Sequence, residues 1–186
     1  MVFLSWGRPS AQDQKAIIHK SGTFNYDDKY KGATAKSLAS LKEDQALSKD
    51  GFLLNNARVL VGSGIDTFEK AKTALKTWRH FGLNWAFVDP KTPVQQGTKF
   101  CACVKEFFPW LMMPLQVVYV NETKIAKNRA ATFGFGSGTL DGHLLFAVYL
   151  VMVFCKRKAF LSNCTWCGET EVVLACESFR NWKWFE

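Results

Sequence analysis

The sequence predicts an α+β fold in which one main helix packs on a mostly antiparallel sheet. Three strand-like stretches, at about 98–107, 115–121 and 132–140, follow one another with short connections, which is typical of antiparallel pairing. A well-formed amphipathic helix precedes them. With 186 residues, of which 48% are hydrophobic and 22% charged, the chain is expected to form one sizeable core.

The main helix is predicted to begin at Asp66 and to end at Gly82. Asp66 and Glu69 have the spacing of a capping box, and Gly82 has the position of a left-handed C-cap. Spacings of three or four give the helix an apolar face, made of Phe68, Ala71, Leu75 and Trp78. A shorter helix is expected after Ser10, which forms a capping-box pattern with Asp13.

Strands are also expected at 51–61 and 85–88, and a turn is expected from Pro109 to Pro114. The strand at 132–140 carries three alternating glycines, Gly134, Gly136 and Gly138, so one of its faces is nearly bare. Such a row predicts a bend, or the close approach of a helix, another backbone or a ligand. We favour bending and helix packing over ligand contact.

Gly62, Ser63 and Gly64 stand between a predicted strand and the main helix, as at the start of a dinucleotide-binding unit. Thr67 replaces the third glycine, however, and helices do not separate the later strands. A tight turn is therefore the simpler interpretation. If a ligand binds there, the exposed N–H groups at the helix start favour an anion.

His143 follows an Asp-Gly turn and is expected to be a hydrogen-bonded turn residue, because no second catalytic group stands at a recognisable spacing. Cys164 and Cys167 form one close pair, flanked by the single residues Cys155 and Cys176, whereas structural zinc needs a more complete ligand set. We expect no metal and no cofactor.

The formal charge of +8 comes mostly from scattered lysines, which are typical of a solvated face, and we expect no nucleic-acid partner. The apolar run 144–154 is too short to span a membrane and is interpreted as a buried strand or a point of peripheral membrane contact. The N-terminus lacks the pattern of a secretory signal, so the protein is not expected to be secreted.

A string of motifs in fixed order resembles the plant members of the uncharacterised protein family 0548. The motifs are Trp6–Pro9, Phe24–Asp27, Arg58–Gly64, the pair Trp78 and Trp85, Val117–Tyr119 and Gly134–His143. The resemblance implies an α+β domain similar to the helix-grip folds that hold small apolar ligands, and it implies no established activity. It also implies the plastid outer envelope, and a cytoplasmic location is the alternative expectation because no export signal is recognised.

The resemblance covers residues 1–145, which we interpret as a single family domain, and stops there. Family members continue with an acidic strand, a further strand and a C-terminal helix, and residues 146–186 do not match these cleanly. We therefore expect the closing elements to be missing, as in a truncated isoform. The hypothesis is that about 146–174 derive from an intron or a mispredicted exon. The strand at 132–140 is then expected to have an unpaired edge.

Two functional interpretations remain open. The first is a non-enzymatic module that binds an apolar or lipid-like small molecule, with aromatic and polar candidates at Trp78, Trp85, Tyr119, Phe135, His143 and Arg58. The second is an enzyme or binder acting on an anionic or phosphorylated small molecule at Gly62, Ser63 and Gly64, with Arg58 and His143 as polar participants. We favour the first, because the second lacks a further catalytic group.

Overall fold

The computed structural model describes residues 2–50, 52–105, 108–123, 131–144, 147–157 and 168–179. Its helices are α1 (Ala11–Lys20), α2 (Leu38–Glu43), α3 (Gln45–Lys49) and α4 (Gly64–Lys76). Single 3₁₀ turns lie at Asp28–Tyr30, Ala33–Ala35 and Arg79–Phe81. The strands are β1 (Phe3–Ser5), β2 (Phe52–Ser63), β3 (Ala86–Phe87), β4 (Lys99–Lys105), β5 (Trp110–Thr123), β6 (Ala131–Thr139), β7 (Ala147–Arg157) and β8 (Gly168–Phe179).

The eight described strands form one antiparallel sheet in the order β2-β8-β7-β6-β5-β4-β3, and β1 pairs with the first residues of β5. The longest helix, α4, packs on one side and contacts β2, β6, β7 and β8. We call this side the α4 face, marked by Phe100, Phe133 and Phe135. The α1 face is the opposite side, where Cys101 and Cys103 lie under Ile17 and Ile18. The predicted α+β class is confirmed.

Local signals predicted α1 correctly and parts of α4 incorrectly. Ser10 and Asp13 form the expected capping box at α1. In contrast, α4 begins at Gly64, so the proposed cap at Asp66 is wrong and that carboxylate lies in the first turn. The proposed cap at Gly82 is also wrong, because α4 ends at Lys76 and Gly82 has a negative φ of −76°.

The predicted turn from Pro109 to Pro114 is wrong, because β5 already begins at Trp110. Pro114 is tolerated inside β5 by its place in the ladder. β1 pairs with residues 110–112 and β6 begins its pairing at Leu115, so Pro114 falls between the two partners on that side of β5. A missing N–H therefore interrupts no continuous ladder.

The expected unpaired edge of the strand at 132–140 is wrong, because β7 pairs with β6 from Ala131 to Gly138. β8 then joins β7 to β2. The β7–β8 pair is thus the connection between β2, which leads into α4, and the rest of the sheet. The origin of residues 146–174 in an intron or mispredicted exon stays a prediction, as does the division of the chain at residue 145.

The glycine face of β6 is covered by aromatic rings of the same chain. Gly136 is paired with Tyr119, and a Cβ atom at Gly136 would lie 2.8 Å from the Tyr119 hydroxyl and closer still to the ring. At Gly138 a Cβ atom would meet the rings of Tyr26 and Phe24, the latter at 3.0 Å. The close approach at Gly136 and Gly138 is therefore made by side chains from β5 and from residues 24–26, and the helix packing favoured for these glycines is wrong.

We expect Gly136→Ala to lower the free energy of unfolding by about 1–3 kcal/mol, because the new methyl group occupies the space of the Tyr119 ring. Gly7→Ala is the matched control, since a Cβ atom there has nothing within 4 Å. Denaturant unfolding measures both. In a Tyr119→Ala background the cost of Gly136→Ala should shrink, and an equal cost in both backgrounds would contradict the assigned contact.

Candidate functional site

The end of α4 is shaped by Trp78, whose side chain is buried in the α4 face with 2% exposure. Its backbone is left-handed, with φ 57° and ψ 20°. Among the described residues, Trp78 is the only non-glycine residue with a positive φ. The indole Nε1 donates a hydrogen bond to the Thr92 carbonyl at 2.8 Å. Burial and this bond together offset the cost of about 1–3 kcal/mol for a left-handed residue that is not glycine.

The Trp78 ring joins the helix to two strands of the sheet. Its centroid lies 4.4 Å from that of Phe100 on β4 and 5.2 Å from that of Phe135 on β6, the latter edge to face. Both phenylalanines are buried. Of the aromatic walls proposed for a ligand site, the structure therefore brings Trp78 and Phe135 together.

His80 joins this cluster and is the polar residue that sequence reasoning missed. The centroid of its ring lies 5.7 Å from that of Trp78, with the two rings stacked. It lies 4.9 Å from the ring centroid of Phe81 and 6.1 Å from that of Phe135. Both ring nitrogens are buried, and neither makes a hydrogen bond of standard geometry with a described residue. The backbone of Ala74 offers the ring one weaker polar contact. Buried polar atoms without a partner are rare in proteins, so these two nitrogens call for a water or a ligand.

Burial lowers the pKa of His80 to about 4, because the surrounding rings cannot solvate a charged imidazolium. The weaker hydrogen-bonding contact with the Ala74 backbone raises the pKa of His80, and burial outweighs it. At neutral pH the ring is therefore uncharged and offers one N–H donor and one nitrogen acceptor to the same apolar surroundings.

Two of the other proposed aromatic walls lie elsewhere. Trp85 is 55% exposed, immediately before β3. Tyr119 covers Gly136 on the α1 face, and its hydroxyl is 2.9 Å from that of Thr34. Neither residue faces the cluster around Trp78.

His143 is buried in the turn that follows β6, with its backbone N–H donating to the Leu140 carbonyl at 3.0 Å. Gly142 supplies the positive φ of 92° in this turn, and a side chain there would collide with the Phe3 ring. The turn environment agrees with the expected hydrogen-bonded turn residue. No described contact connects His143 to His80.

The residues proposed for an anion site are distributed along the sheet. Gly62 and Gly64 have positive φ values of 146° and 82°, and α4 starts there with no side-chain cap from Ser63. Through β8 and β7, Gly62 is in register with Ala131 at the start of β6, whereas His143 follows the end of β6. At about 3.3 Å per residue the two ends are roughly 25 Å apart.

Arg58 lies midway along β2, in register with Gly134 through β8 and β7, and its side chain falls outside the described residues. The anionic-substrate alternative stays a prediction. The strand register does not bring its proposed residues, Gly62 to Gly64, Arg58 and His143, close together.

The described cysteines favour packing over metal binding. Cys101 and Cys103 are buried thiols on one face of β4, as the alternation predicted. A hydrogen bond with Cys103, together with burial, raises the pKa of the Cys101 thiol. The described part of the chain holds no group of three residues with metal-ligand chemistry. The pair Cys164 and Cys167 lies outside the described residues.

The pH dependence of stability tests the environment of His80. Its folded-state pKa, about 4, is below the unfolded value of 6.5, so the unfolded chain takes up the proton first. The His80 contribution is therefore constant above pH 6.5, falls between pH 6.5 and pH 4, and is level below. The loss over this interval is roughly 3 kcal/mol.

Denaturant unfolding of wild type and of His80→Phe across this pH range isolates the contribution, because other groups titrate alike in both proteins. His19→Phe is the control, since His19 is exposed on α1. Parallel stability curves for wild type and His80→Phe would contradict the buried, uncharged ring.

Comparison with known proteins adds the family. The profile of a domain of unknown function, DUF1990, matches residues 33–146, which ends one residue before β7. A UPF0548 protein of Arabidopsis thaliana is 63% identical over 145 residues, covering 78% of this chain and 71% of that protein. A UPF0548 protein of Dictyostelium discoideum is 26% identical over 140 residues, covering 74% of this chain and 63%, less than two thirds, of that protein.

The described helices include none that is both long and apolar enough to cross a membrane. The family match includes β2, α4, β5 and β6, and therefore contains Trp78, His80 and Phe135. The extent of the DUF1990 match and the identity to the Arabidopsis protein lead to one conclusion: the chain is a plant member of the UPF0548 family, which has no established function.

Proposed function

We propose that this protein is a non-enzymatic binding module for a small, largely apolar molecule with one polar group, held at Trp78, His80 and Phe135. The observation that carries the proposal is the buried ring of His80, whose two nitrogens make no hydrogen bond of standard geometry with a described residue and have only a weaker contact with the Ala74 backbone. They lie among aromatic rings, which is the usual composition of a site for an apolar ligand with few polar anchors.

The chemistry of the ring selects the polar group of the ligand. A neutral imidazole both donates and accepts a hydrogen bond, which fits a hydroxyl or a protonated carboxyl group. Trp78, Phe81 and Phe135 would contact the apolar remainder. An alcohol or fatty-acid-like molecule therefore fits better than a sugar or a nucleotide, whose many polar groups would remain unpaired there.

The same geometry favours binding over catalysis. A base with a pKa of about 4 accepts a proton weakly at neutral pH. The described side chains in ring contact with His80 are Trp78, Phe81 and Phe135, and none of them is a second acid or base.

The entrance to such a site is best placed at the 3₁₀ turn Arg79–Phe81. Trp78 and Phe135 are buried, whereas His80 and Phe81 are only half-buried, so the turn is the thinnest cover over the cluster. Gly82 follows the turn and adds no side chain to it.

We expect His80→Phe to weaken binding of a dansyl-labelled fatty acid by about tenfold, the value of one hydrogen bond. The same substitution should maintain or raise the free energy of unfolding of the free protein at neutral pH, because it removes two buried nitrogens that lack a hydrogen bond of standard geometry to a described residue. Dansyl fluorescence, with decanol as competitor, measures affinity, and denaturant unfolding measures stability.

His19→Phe, at the exposed histidine of α1, is the matched control and should change neither quantity. Opposite effects of His80→Phe on binding and stability distinguish a ligand anchor from a structural residue. Unchanged probe affinity in His80→Phe, or no saturable probe binding by wild type, would refute the proposed function.

A further inference from the structure

One end of the sheet carries three exposed aromatic side chains. Trp6 is 79% exposed, Phe108 65% and Trp85 55%. These residues come from three separate segments of the chain. A single exposed apolar side chain is normal, but a cluster of large exposed apolar side chains is unusual and marks an interaction surface.

The strand register brings the three residues to the same end. Trp6 follows Ser5, which pairs with Trp110, so Trp6 lies beside the turn that contains Phe108. Lys105 donates its backbone N–H to the Trp85 carbonyl at 2.7 Å, and its Nζ lies 4.9 Å from the Phe108 ring centroid. Trp6, Trp85, Lys105 and Phe108 therefore lie at the end of the sheet where β4 ends and β5 begins, and we call them the aromatic end.

The described charges at the aromatic end are positive. The segments that build it, 2–9, 83–88, 104–105 and 108–112, contain Arg8 and Lys105 and no acidic residue. The Arg8 guanidinium lies 4.4 Å from the Phe87 centroid and 5.7 Å from that of Trp110. Glu106 lies outside the described residues. Cations placed among aromatic rings are complementary to an anionic surface.

We propose that the aromatic end docks the protein on the surface of a bilayer that contains anionic lipids. Tryptophan and phenylalanine partition into the boundary between headgroups and acyl chains, while lysine and arginine attract anionic headgroups. A second copy of the chain fits less well, because a symmetric contact would place Arg8 and Lys105 against the same cations. This surface is separate from the cluster at His80.

The test is sedimentation of the full chain with vesicles of phosphatidylcholine alone or mixed with phosphatidylglycerol. Wild type should bind the mixed vesicles and bind the neutral ones more weakly. Trp6→Ala combined with Phe108→Ala should weaken binding to mixed vesicles at least tenfold, and Lys105→Gln should weaken it by about fivefold at low salt. Unfolding midpoints establish that each variant is folded.

Leu60→Ala and Lys70→Gln are the matched controls and should bind like wild type. Leu60 is 59% exposed on β2, at the opposite edge of the sheet, and Lys70 is exposed on α4. The proposal would be overturned if the double aromatic variant bound the mixed vesicles as strongly as wild type, or if wild type did not bind the mixed vesicles. Self-association that this variant abolishes, without vesicle binding, would assign the surface to a second copy and also overturn it.

Discussion

The burial of Trp78 is the interaction on which the arrangement of helix and sheet depends. Its ring contacts Phe100 and Phe135, which belong to β4 and β6, while its backbone ends the helix. A buried tryptophan typically accounts for about 3–5 kcal/mol, which exceeds the cost of about 1–3 kcal/mol for its left-handed backbone. The core can therefore impose a conformation that the residue type disfavours, and the helix stops where the ring must enter the sheet.

The position of His80 is a consequence of that stop. If the helix continued through Arg79, His80 would point in the direction set by regular helical geometry. The left-handed backbone of Trp78 and the following 3₁₀ turn instead direct the His80 ring onto the Trp78 ring. The imidazole then lies among aromatic rings at the cost of its hydration. That cost appears as the lowered pKa and as two nitrogens without a hydrogen bond of standard geometry to a described residue. Natural cores seldom retain such a cost without a use for it.

Sequence patterns predicted the features that local chemistry decides. The Ser10–Asp13 box caps α1, alternation separates Cys101 from Phe100, and spacings of three or four bring Phe68 and Leu75 of α4 to the sheet. The limits of α4 were not predictable in the same way, because the burial of Trp78, a tertiary event, replaced the glycine cap. His80 gave no local signal, since its significance arises only when the chain turns inward.

Tertiary contacts also decide two features of the sheet that the sequence predicted only in part or not at all: the cover over the glycines of β6, and the β7–β8 pair. Alternation predicted a bare face at Gly136 and Gly138, but only the folded chain identifies Tyr119 and Tyr26 as the rings that cover it. The pairing of β7 with β6 depends on residues beyond the DUF1990 match, so the family resemblance offered no guide to it. In the structure this pair connects β2 and α4 to the strands that carry Phe100 and Phe135.

The most direct measurement of the central claim is nitrogen-15 NMR of the imidazole of His80 in histidine-labelled, delipidated protein. At about pH 6, well above its folded-state pKa of about 4, His80 should show the two distinct shifts of a neutral ring. Saturation with decanol should then move those shifts and leave the shifts of exposed His19 in place. A protonated His80 ring at that pH, or His80 shifts that saturating decanol does not change, would contradict the account.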